Sequence, residues 1–403
     1  MNPTLESKPF IAIACGGTGG HLFPGVAVAE ELLCQGASVA LLISPKDVDQ
    51  QAVKSIQGVE IFTLPAVGLQ NRNYFSFARS FWNSLRLARK IFQDRAPHAV
   101  LAMGGFTSAP PILAAKSAGA RTFLHESNTI PGRANRFLAR FVDEVFVGFS
   151  ETAARLPSKT TVTTGTPVRS QLALRANPSS RNSAGQDPAA CRIALGLEPN
   201  RPTLLVVGGS QGASGLNELV LSTLPRLANR NWQWLHLTGN HDFERVKSAY
   251  AALGLAAVVK PFFAKMDLAL GAATACVSRA GASSLAELAA CRLPAVLIPF
   301  HAAADNHQYF NANAFAKTGA AFLIEQKLAT PEMVANRLIE LVENDEARLK
   351  IQSALVSWYA PTAAAQIADH ILRSLARPLE KTVPTIPPPA RANRVTDTAK
   401  AVL

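Results

Sequence analysis

Short apolar runs alternate with amphipathic stretches along most of this chain. Phe10–Cys15 and Thr203–Val207 are continuous apolar runs of strand length, and each leads into a glycine-rich segment. A continuous apolar run of this kind is typical of a strand that is covered on both faces, as in a parallel sheet. The pattern therefore predicts two α/β domains, each opening with a strand, a glycine turn and a helix.

The remaining apolar runs extend this scheme. Further strands are predicted at Ser38–Ile43, Val59–Leu64, Ala99–Met103, Arg121–Leu124 and Glu144–Val147, and then at Trp232–Leu237, Ala256–Val259, Ala275–Ser278 and Ala295–Pro299. Helices are predicted at about Pro24–Gln35, before the helix-ending Gly36, and at about Thr362–Leu375. Strands that alternate with helices require crossover connections, which predicts parallel sheets with helices on both faces.

Two segments lack this alternation. Gln171–Gln186 is rich in Ser, Asn, Ala and Arg, and we interpret it as an interdomain linker. The end of the chain is Pro-rich, weakly basic and without periodicity, which predicts a disordered tail.

Length and composition are consistent with this organisation. A chain of 403 residues suits two to three domains, and no apolar stretch approaches the 18 residues of a membrane-spanning helix. We expect no secretion signal, because the apolar run Phe10–Cys15 is too short for one. The five cysteines are scattered and lack CxxC spacing, which favours buried thiols over a metal cluster.

The formal net charge of +12 predicts an anionic partner. Nucleic acid, an anionic membrane surface and a phosphorylated substrate all fit. No helix-turn-helix, zinc-finger or RNA-binding signature is recognisable, so nucleic acid is the least favoured of the three.

The two glycine turns, Gly16–His21 and Gly208–Gly215, predict phosphate chemistry. Without Cβ atoms, backbone N–H groups can approach a phosphate, and the following helix N-terminus favours negative charge. GGTGGH differs from the dinucleotide pattern G-x-G-x-x-G, and Ser38–Ile43 ends in Ser44–Pro45 instead of an acid, so an NAD enzyme is disfavoured. His21 has two open interpretations, a helix-capping side chain or a base beside a reacting hydroxyl.

Three polar loops follow later strands. HESN (His125–Asn128), beside Gly105–Pro111, lies at the carboxyl edge where open α/β folds bind ligands, although an ordinary loop would look the same. Glu287 falls in the first turns of a helix after Arg279–Ser284. A carboxylate there can accept hydrogen bonds from both hydroxyls of a ribose, but spacing alone favours a solvated helix glutamate. Pro299–Ala312 is dense in hydrogen-bonding side chains and suggests a sugar or acceptor pocket.

Asp47–Val48–Asp49 forms a DxD triplet, which carries a metal in many nucleotide-sugar enzymes. The signal alone is weak, and we interpret it as helix-capping chemistry away from both glycine turns.

Gly68–Arg95 combines six basic residues with one acid and several aromatic residues. As a helix, one face carries Phe77, Phe81, Leu85, Ala88 and Phe92, and another carries Arg79, Arg86 and Lys90. This favours an interfacial helix on anionic lipid over the alternative of core aromatics with solvated arginines.

The chain resembles the MurG family of glycosyltransferases (family 28) over about residues 10–375. The resemblance is carried by seven segments that occur in the family's order and spacing: GGTGGHLFPGVAVAEEL, MGGFTSAP, HESN, GTPVR, GGSQGA, SRAGASSLAEL and DNHQYFNA. The resemblance implies the GT-B architecture, two Rossmann-like domains facing each other across a cleft, with no obligatory metal or other cofactor. It implies a hexosyltransferase that moves N-acetylglucosamine from UDP-N-acetylglucosamine to an undecaprenyl-linked muramoylpentapeptide, lipid I, on the cytoplasmic face of the inner membrane.

The resemblance also implies a role for individual residues. His21 and Glu126 correspond to the family's catalytic candidates. The UDP-N-acetylglucosamine contacts would be Thr18, Gly19, Gly20, Asn128, Arg169, Ser210, Gln211, Phe263, Ala282, Ser283, Ser284, Leu285, Ala286, Glu287 and Gln308, with Glu287 on the ribose and His307 assisting Gln308 at the sugar. Membrane docking would use Phe75, Arg79, Phe81, Trp82, Arg86 and Lys90.

The corresponding domain boundaries place an N-terminal domain at residues 1–168, a linker at 169–192, a C-terminal domain at 193–355, a terminal helix that packs back on the N-terminal domain at 356–377, and a disordered tail at 378–403. Two positions depart from the common family pattern, Ser127 in HESN and Thr166 in TPVR. Another GT-B UDP-sugar enzyme, such as a glycolipid glycosyltransferase or a UDP-N-acetylglucosamine epimerase, and a non-catalytic binding protein remain alternatives.

Overall fold

The computed structural model describes residues 8–46, 49–50, 53–54, 56–66, 74–158, 160–172, 187–209 and 212–376. Several predicted features lie outside these residues: Asp47 and Val48 of the DxD triplet, the start of the basic aromatic segment at 68–73, Ser210, Gln211, the linker residues 173–186 and the tail at 378–403.

The N-terminal half forms a seven-stranded parallel sheet. Its strands are β1 (Phe10–Ala14), β2 (Ser38–Ile43), β3 (Val59–Thr63), β4 (Ala99–Ala102), β5 (Arg121–Glu126), β6 (Glu144–Val147) and β7 (Thr161–Thr163), in the order β3-β2-β1-β4-β5-β6-β7. The strand order reverses between β1 and β4, and a crevice opens at the carboxyl ends of such a pair. The first glycine turn follows β1 and Gly104–Gly105 follow β4, so both lie at this crevice.

The C-terminal half repeats the arrangement with six parallel strands. They are β8 (Thr203–Val207), β9 (Gln233–Leu237), β10 (Ala257–Lys260), β11 (Ala275–Ser278), β12 (Ala295–Leu297) and β13 (Phe322–Leu323), in the order β10-β9-β8-β11-β12-β13. The reversal lies between β8, which precedes the second glycine turn, and β11, which precedes Arg279. The predicted α/β class with two parallel-sheet domains is confirmed.

Helices cover both faces of each sheet. Those of the described residues are α1 (Gly19–Cys34), α2 (Tyr74–Asp94), α3 (Ala109–Ser117), α4 (Arg133–Leu138), α5 (Ser150–Ala153), α6 (Pro188–Ala194), α7 (Ser214–Leu227), α8 (Phe243–Ala252), α9 (Met266–Ala272), α10 (Ala282–Ala290), α11 (His307–Lys317), α12 (Pro331–Glu343), α13 (Asp345–Val356) and α14 (Ala363–Ala376). None of them is both long and apolar enough to cross a bilayer.

Several element boundaries differ from the sequence prediction, and two of these differences concern residues of the cleft. Helix α1 begins at Gly19, five residues before the predicted start, so Pro24 lies inside the helix. The helix starts early because the carbonyl of Thr18 already accepts hydrogen bonds from the amides of His21 and Leu22. Strand β5 continues to Glu126, so His125 and Glu126 belong to the strand instead of following it. Parallel pairing with β6 extends through both residues and keeps them in the sheet.

The last helix returns to the first half of the chain. Ile367, Ala368 and Ile371 of α14 are fully buried in the core that also contains β1, β2 and α1. Helices α2 and α3 cover the opposite face of the same sheet. The N-terminal sheet is thus closed on one side by a helix from the other end of the chain.

Candidate active site

The carboxyl edges of the two sheets face each other across a cavity of about 1140 Å³. Both halves of the chain line it. The predicted site residues on its wall are Thr18, Gly19, Gly20, His21, Glu126, Asn128, Arg169, Phe263, Ala282, Ser283, Ser284, Glu287 and Gln308. Leu285 and Ala286 do not line the cavity, and the side chain of Leu285 is buried in the C-terminal core, because it lies on the opposite side of α10.

His21 lies in the first turn of α1, against the glycines that follow β4. Its Nδ1 is 3.1 Å from Thr18 Oγ1, and any Cβ on Gly104 or Gly105 would come within about 3.1 Å of the imidazole ring. Burial lowers the pKa of His21 to about 4, Asp49 acts in the opposite direction, and His307 and Lys46 lower the pKa further. The imidazole is therefore neutral near pH 7 and able to accept a proton.

The prediction that the DxD triplet lies away from both glycine turns is wrong for Asp49. This carboxylate is fully buried, and its Oδ2 accepts hydrogen bonds from the amide of Gly17 at 2.6 Å and from Ser44 Oγ at 2.5 Å. Lys46 Nζ donates to the carbonyl of Gly17 at 2.8 Å. Asp49 and Lys46 thus hold both polar groups of Gly17, whose φ of 108° suits only glycine. Sequence spacing missed this contact because it depends on how the segment after β2 folds back.

Glu126 is buried at the end of β5, with both carboxylate oxygens engaged. Oε1 accepts from the backbone amide and the Nδ2 of Asn128, and Oε2 accepts from the amide of Gly132 and from Asn135 Nδ2, all at 2.8–2.9 Å. Four donors stabilise the carboxylate and organise the loop from Asn128 to Asn135.

Asn311 joins the two halves of the chain at the cleft. It lies on α11, is fully buried, and its Oδ1 accepts from the amide and the hydroxyl of Thr129, both at 2.9 Å. Its Nδ2 donates to Asn128 Oδ1 at 3.0 Å and to the carbonyl of Ala280 at 3.2 Å. Asn311 is part of the segment DNHQYFNA, but no pattern along the chain indicated that it would join the two domains.

Arg169 and Glu287 form a second contact across the cleft. Glu287 Oε1 accepts from Arg169 Nη2 at 2.6 Å and from Nε at 3.0 Å, and the guanidinium lies 4.1 Å from the ring centroid of Phe23. Glu287 is only 7% exposed, and its Oε2 makes no hydrogen bond to a described residue. The carboxylate predicted to bind ribose is therefore paired in this structure, with one oxygen left to accept.

A buried polar network supports helix α7 behind the second glycine turn. His236 Nε2 is 3.0 Å from Asn217 Oδ1, and Asn217 Nδ2 donates to Asp242 Oδ2 at 2.8 Å and to the carbonyl of Thr238 at 2.9 Å. Burial lowers the pKa of His236 to about 3, so its ring is neutral. The network fixes the N-terminus of α7, which begins at Ser214, relative to β9.

The loop before α11 completes the C-terminal wall. Gln308 Oε1 accepts from the amide of Phe300 at 3.0 Å, and His307 Nδ1 lies 2.8 Å from the carbonyl of Ala304. Because a carbonyl only accepts, Nδ1 of His307 carries the hydrogen. Asp305 and Asn306 adopt φ of 51° and 53°, a strained backbone of the kind that clusters at ligand sites.

Helix α2 divides its residues between protein and solvent. The predicted docking residues Phe75, Arg79, Trp82, Arg86 and Lys90 are exposed, with Phe75 81% and Trp82 55% accessible.

Phe81 departs from the prediction that it faces a membrane. Its side chain is half-buried, packs against the N-terminal core and lines the cavity, because it shares a helix face with the buried Leu85, Ala88 and Phe92.

Helix α4 adds a second aromatic and basic surface that the sequence analysis missed. Phe137 and Phe141 are 49% and 45% exposed, with ring centroids 5.1 Å apart, and Arg140 beside them is exposed. The repeated spacing of Arg and Phe in RANRFLARF was the available signal.

Metal-ligating side chains are not concentrated in the described part of the chain. Across residues 8–376 with the gaps given above, no three His, Cys, Asp or Glu side chains lie close enough to hold a metal ion.

Family models match both halves of the chain. Residues 11–147 match the glycosyltransferase family 28 N-terminal domain, and residues 203–371 match the glycosyltransferase family 28 C-terminal domain.

Relatives align over nearly the whole chain. A UDP-N-acetylglucosamine–N-acetylmuramyl-(pentapeptide) pyrophosphoryl-undecaprenol N-acetylglucosamine transferase of Prochlorococcus marinus (strain MIT 9303) is 38% identical over 383 residues, covering 92% of this chain and 98% of that protein. A protein of the same description from Geotalea daltonii is 33% identical, covering 90% and 96%.

Solved structures agree on the architecture. The crystal structure of Acinetobacter baumannii MurG is 28% identical, with a TM-score of 0.66 over 91% of this chain and 99% of that one. A putative UDP-N-acetylglucosamine 2-epimerase from Listeria monocytogenes also gives a TM-score of 0.66, over 92% and 97% of the two chains, but at 14% identity it shows a common fold only.

Proposed function

The chain belongs to glycosyltransferase family 28, and on this premise we propose that it transfers N-acetylglucosamine from UDP-N-acetylglucosamine to undecaprenyl-pyrophosphoryl-muramoylpentapeptide. The acceptor 4-hydroxyl attacks the anomeric carbon of the donor. A new C–O bond forms as the bond to the diphosphate breaks, the configuration inverts, and UDP leaves. The products are a β-1,4-linked disaccharide on the lipid carrier and UDP.

The donor binds mainly to the C-terminal half. Helices α7 and α10 point their N-termini toward the cleft, where backbone amides and the helix dipole favour a diphosphate. Glu287 takes the ribose hydroxyls, the segment Ala282–Ser284 lies beside the phosphates, and the main chain of Phe263 meets the uracil. Gln308 and His307 contact the sugar hydroxyls.

Donor binding rearranges the Arg169–Glu287 pair. Glu287 Oε2 accepts one ribose hydroxyl while Oε1 remains paired, or the guanidinium moves from Oε1 toward the incoming diphosphate. Both routes keep the arginine beside negative charge, so the ion pair is compatible with the assigned ribose role.

His21 serves as the general base. With Nδ1–H donating to Thr18 Oγ1, Nε2 has a free lone pair for the proton of the attacking hydroxyl. A bound diphosphate places negative charge in the cleft, which raises the pKa of His21 from about 4 toward a value better suited to proton transfer. Glu126 already accepts four hydrogen bonds, and its role is to hold the acceptor-side loop.

The leaving UDP is stabilised by neutral donors of the C-terminal half. Amide groups at the starts of α7 and α10 face the site where negative charge develops on the β-phosphate. The buried His236–Asn217–Asp242 network keeps α7 in place during the reaction.

The enzyme meets its lipid acceptor at an anionic membrane surface. Arg79, Arg86 and Lys90 supply positive charge on α2, and Phe75 and Trp82 are exposed for insertion at the headgroup level. Phe137, Phe141 and Arg140 extend this surface to α4.

The observation that carries this proposal is the convergence of His21, Asn128, Arg169 and Glu287 on one cavity between the two sheets. The test is an incubation of labelled UDP-N-acetylglucosamine with lipid I. We expect label in the lipid fraction and an equal amount of UDP. UDP release without labelled lipid, conversion of the free donor to an epimer, or no turnover would each contradict it.

A further inference from the structure

The cavity extends beyond the residues that the donor and His21 require. Its N-terminal side is an apolar arm formed by Phe77, Phe81, Phe106, Ile130, Pro131 and Phe137. They come from α2, the loop after β4, the loop after β5 and α4. Nothing in the donor reaction described above uses these side chains.

The apolar arm begins at the reaction centre. Phe106 directly follows Gly104 and Gly105, against which the imidazole of His21 packs. Pro131 directly precedes Gly132, whose amide is held by Glu126 Oε2 at 2.9 Å. One wall of the arm is therefore built from the loop against which His21 packs and from the loop that Glu126 holds.

The other end of the apolar arm reaches the exposed aromatic surface. Phe77 and Phe81 lie on α2, and the same part of this helix exposes Phe75 and Trp82. Phe137 lines the cavity and also pairs with the exposed Phe141 on the outside. A chain that leaves a bilayer at this surface has an apolar path to the catalytic wall.

Arg133 supplies unpaired positive charge beside the apolar arm. It lines the cavity, is exposed, and makes neither an ion pair nor a hydrogen bond with the described residues. The three acids on the cavity wall are engaged elsewhere: Glu126 by four donors, Glu287 by Arg169, and Asp305 by Arg136 at 2.6 Å. An anion entering here meets a free cation without first displacing a carboxylate.

We propose that the apolar arm binds the first isoprenoid units of the acceptor and that Arg133 contacts the acceptor diphosphate. This inference rests on the proposed function. In the acceptor, a diphosphate joins the muramoyl sugar to the polyprenyl chain. When the sugar lies at His21, the charged diphosphate must therefore come next along the cavity, followed by the branched hydrocarbon chain. The cavity wall offers a matching group for each part: His21 for the sugar hydroxyl, Arg133 for the diphosphate and the apolar arm for the hydrocarbon.

The test uses water-soluble acceptors without membranes or detergent, so that membrane docking does not contribute. One acceptor carries two isoprene units on its diphosphate and the other carries a methyl group. We expect the wild-type enzyme to prefer the isoprenoid acceptor in kcat/KM by about tenfold or more, because apolar pocket contacts give discrimination of this order.

Phe137→Ser tests the apolar arm directly. Because Phe137 is half exposed, the fold should tolerate the change, and a melting curve checks this. We expect the isoprenoid-to-methyl ratio to fall by about tenfold. The matched control is Ile193→Ser on α6, a 63% exposed apolar residue outside the cavity, which should keep the wild-type ratio.

Arg133→Gln tests the diphosphate contact with methyl diphosphate and methyl monophosphate acceptors. We expect the variant's preference for the diphosphate acceptor, measured as the ratio of kcat/KM values, to fall by about threefold, which is the size of an exposed ion-pair effect. An unchanged preference would refute the role of Arg133.

The outcomes distinguish a failure of the apolar arm from a failure of the proposed transferase function. A wild-type enzyme that uses both acceptors equally, or a Phe137→Ser ratio equal to wild type, would overturn the apolar arm while the transferase remains. A wild-type enzyme that uses neither these acceptors nor lipid I would overturn the proposed function itself.

Discussion

Asp49 shows how a single buried carboxylate distinguishes this glycine turn from a dinucleotide site. In dehydrogenases an acid after the second strand accepts from a ribose. Here the acid that follows β2 accepts from Gly17 and Ser44, so it organises the turn itself. In the proposed function the N-terminal half takes the acceptor, and the carboxylate assigned to the ribose, Glu287, belongs to the other half.

His21→Ala should lower kcat by about 10²–10⁴-fold, the usual contribution of a general base. Affinity for UDP should stay near that of the wild type, because UDP is assigned to the C-terminal half. Steady-state kinetics and calorimetric titration with UDP measure the two effects. An unchanged kcat would remove His21 from the mechanism.

The pH dependence of kcat/KM should report His21 in the free enzyme. Its pKa of about 4 means that activity is lost only as the pH falls through this value and the imidazole becomes protonated. Asp49 raises this pKa and Lys46 and His307 lower it, while His125 faces the same ring.

Asp49→Asn should therefore move the acidic limb to lower pH, and Lys46→Met should move it to higher pH. Opposite shifts are the signature of electrostatic coupling, since a merely loosened turn would lower the plateau in both variants. Acidic limbs that stay at the wild-type pH in both variants would contradict the electrostatic coupling of His21 to Asp49 and Lys46.

Glu287→Gln should raise the donor KM by about tenfold or more, because a charge-assisted hydrogen bond to the ribose is weakened. The acceptor KM should change little. Initial rates at varied donor and acceptor concentrations separate the two. A donor KM equal to wild type would refute the ribose role.

At the scale of elements, α2 performs two tasks on two faces. Leu85, Ala88 and Phe92 are buried against the N-terminal sheet, which accounts for the apolar stripe seen in the sequence. Phe75 and Trp82 remain exposed beside the basic residues. The hydrophobic periodicity identified the helix. Because an apolar helix face can pack on either a protein core or a lipid surface, the periodicity did not determine which of the two covers each aromatic residue.

Charge reversal of Arg79, Arg86 and Lys90 to Glu should reduce sedimentation with anionic vesicles, because each basic group contributes about 1 kcal/mol near such a surface. The control reverses three exposed lysines of the C-terminal half, Lys247, Lys317 and Lys350, with the same change in net charge. Equal loss of binding in both variants would indicate a general charge effect instead of docking through α2.

At the scale of the molecule, polar contacts and one helix join the two halves of the described chain. Asn311 reaches Asn128 and Thr129, Arg169 reaches Glu287, Arg136 reaches Asp305, and α14 returns to the N-terminal core. Each of these polar contacts includes a residue of the cavity wall, so the relative position of the halves also sets the geometry of the site.

Asn311→Ala should destabilise the protein by about 2–4 kcal/mol, since it leaves several buried partners unsatisfied. Chemical unfolding should become broader or split into two transitions as the halves uncouple. The control is Gln366→Ala, which removes an exposed amide whose only side-chain hydrogen bond is to Thr362, the residue before α14. A single transition with wild-type midpoint would contradict this role of Asn311.

The sequence by itself determined the two α/β units, their glycine turns and the residues that follow each strand. Apolar runs and glycines are local signals, and the carboxyl ends of parallel strands must share one edge. This is why thirteen predicted site residues lie on one cavity.

Only the tertiary structure decided which groups pair across long sequence distances. Asp49 meets Gly17 over 32 positions, Arg169 meets Glu287 over 118, and Asn128 meets Asn311 over 183. Such contacts depend on how two sheets and their loops are placed relative to each other. No periodicity or spacing along the chain encodes that placement, because it results from packing the whole molecule.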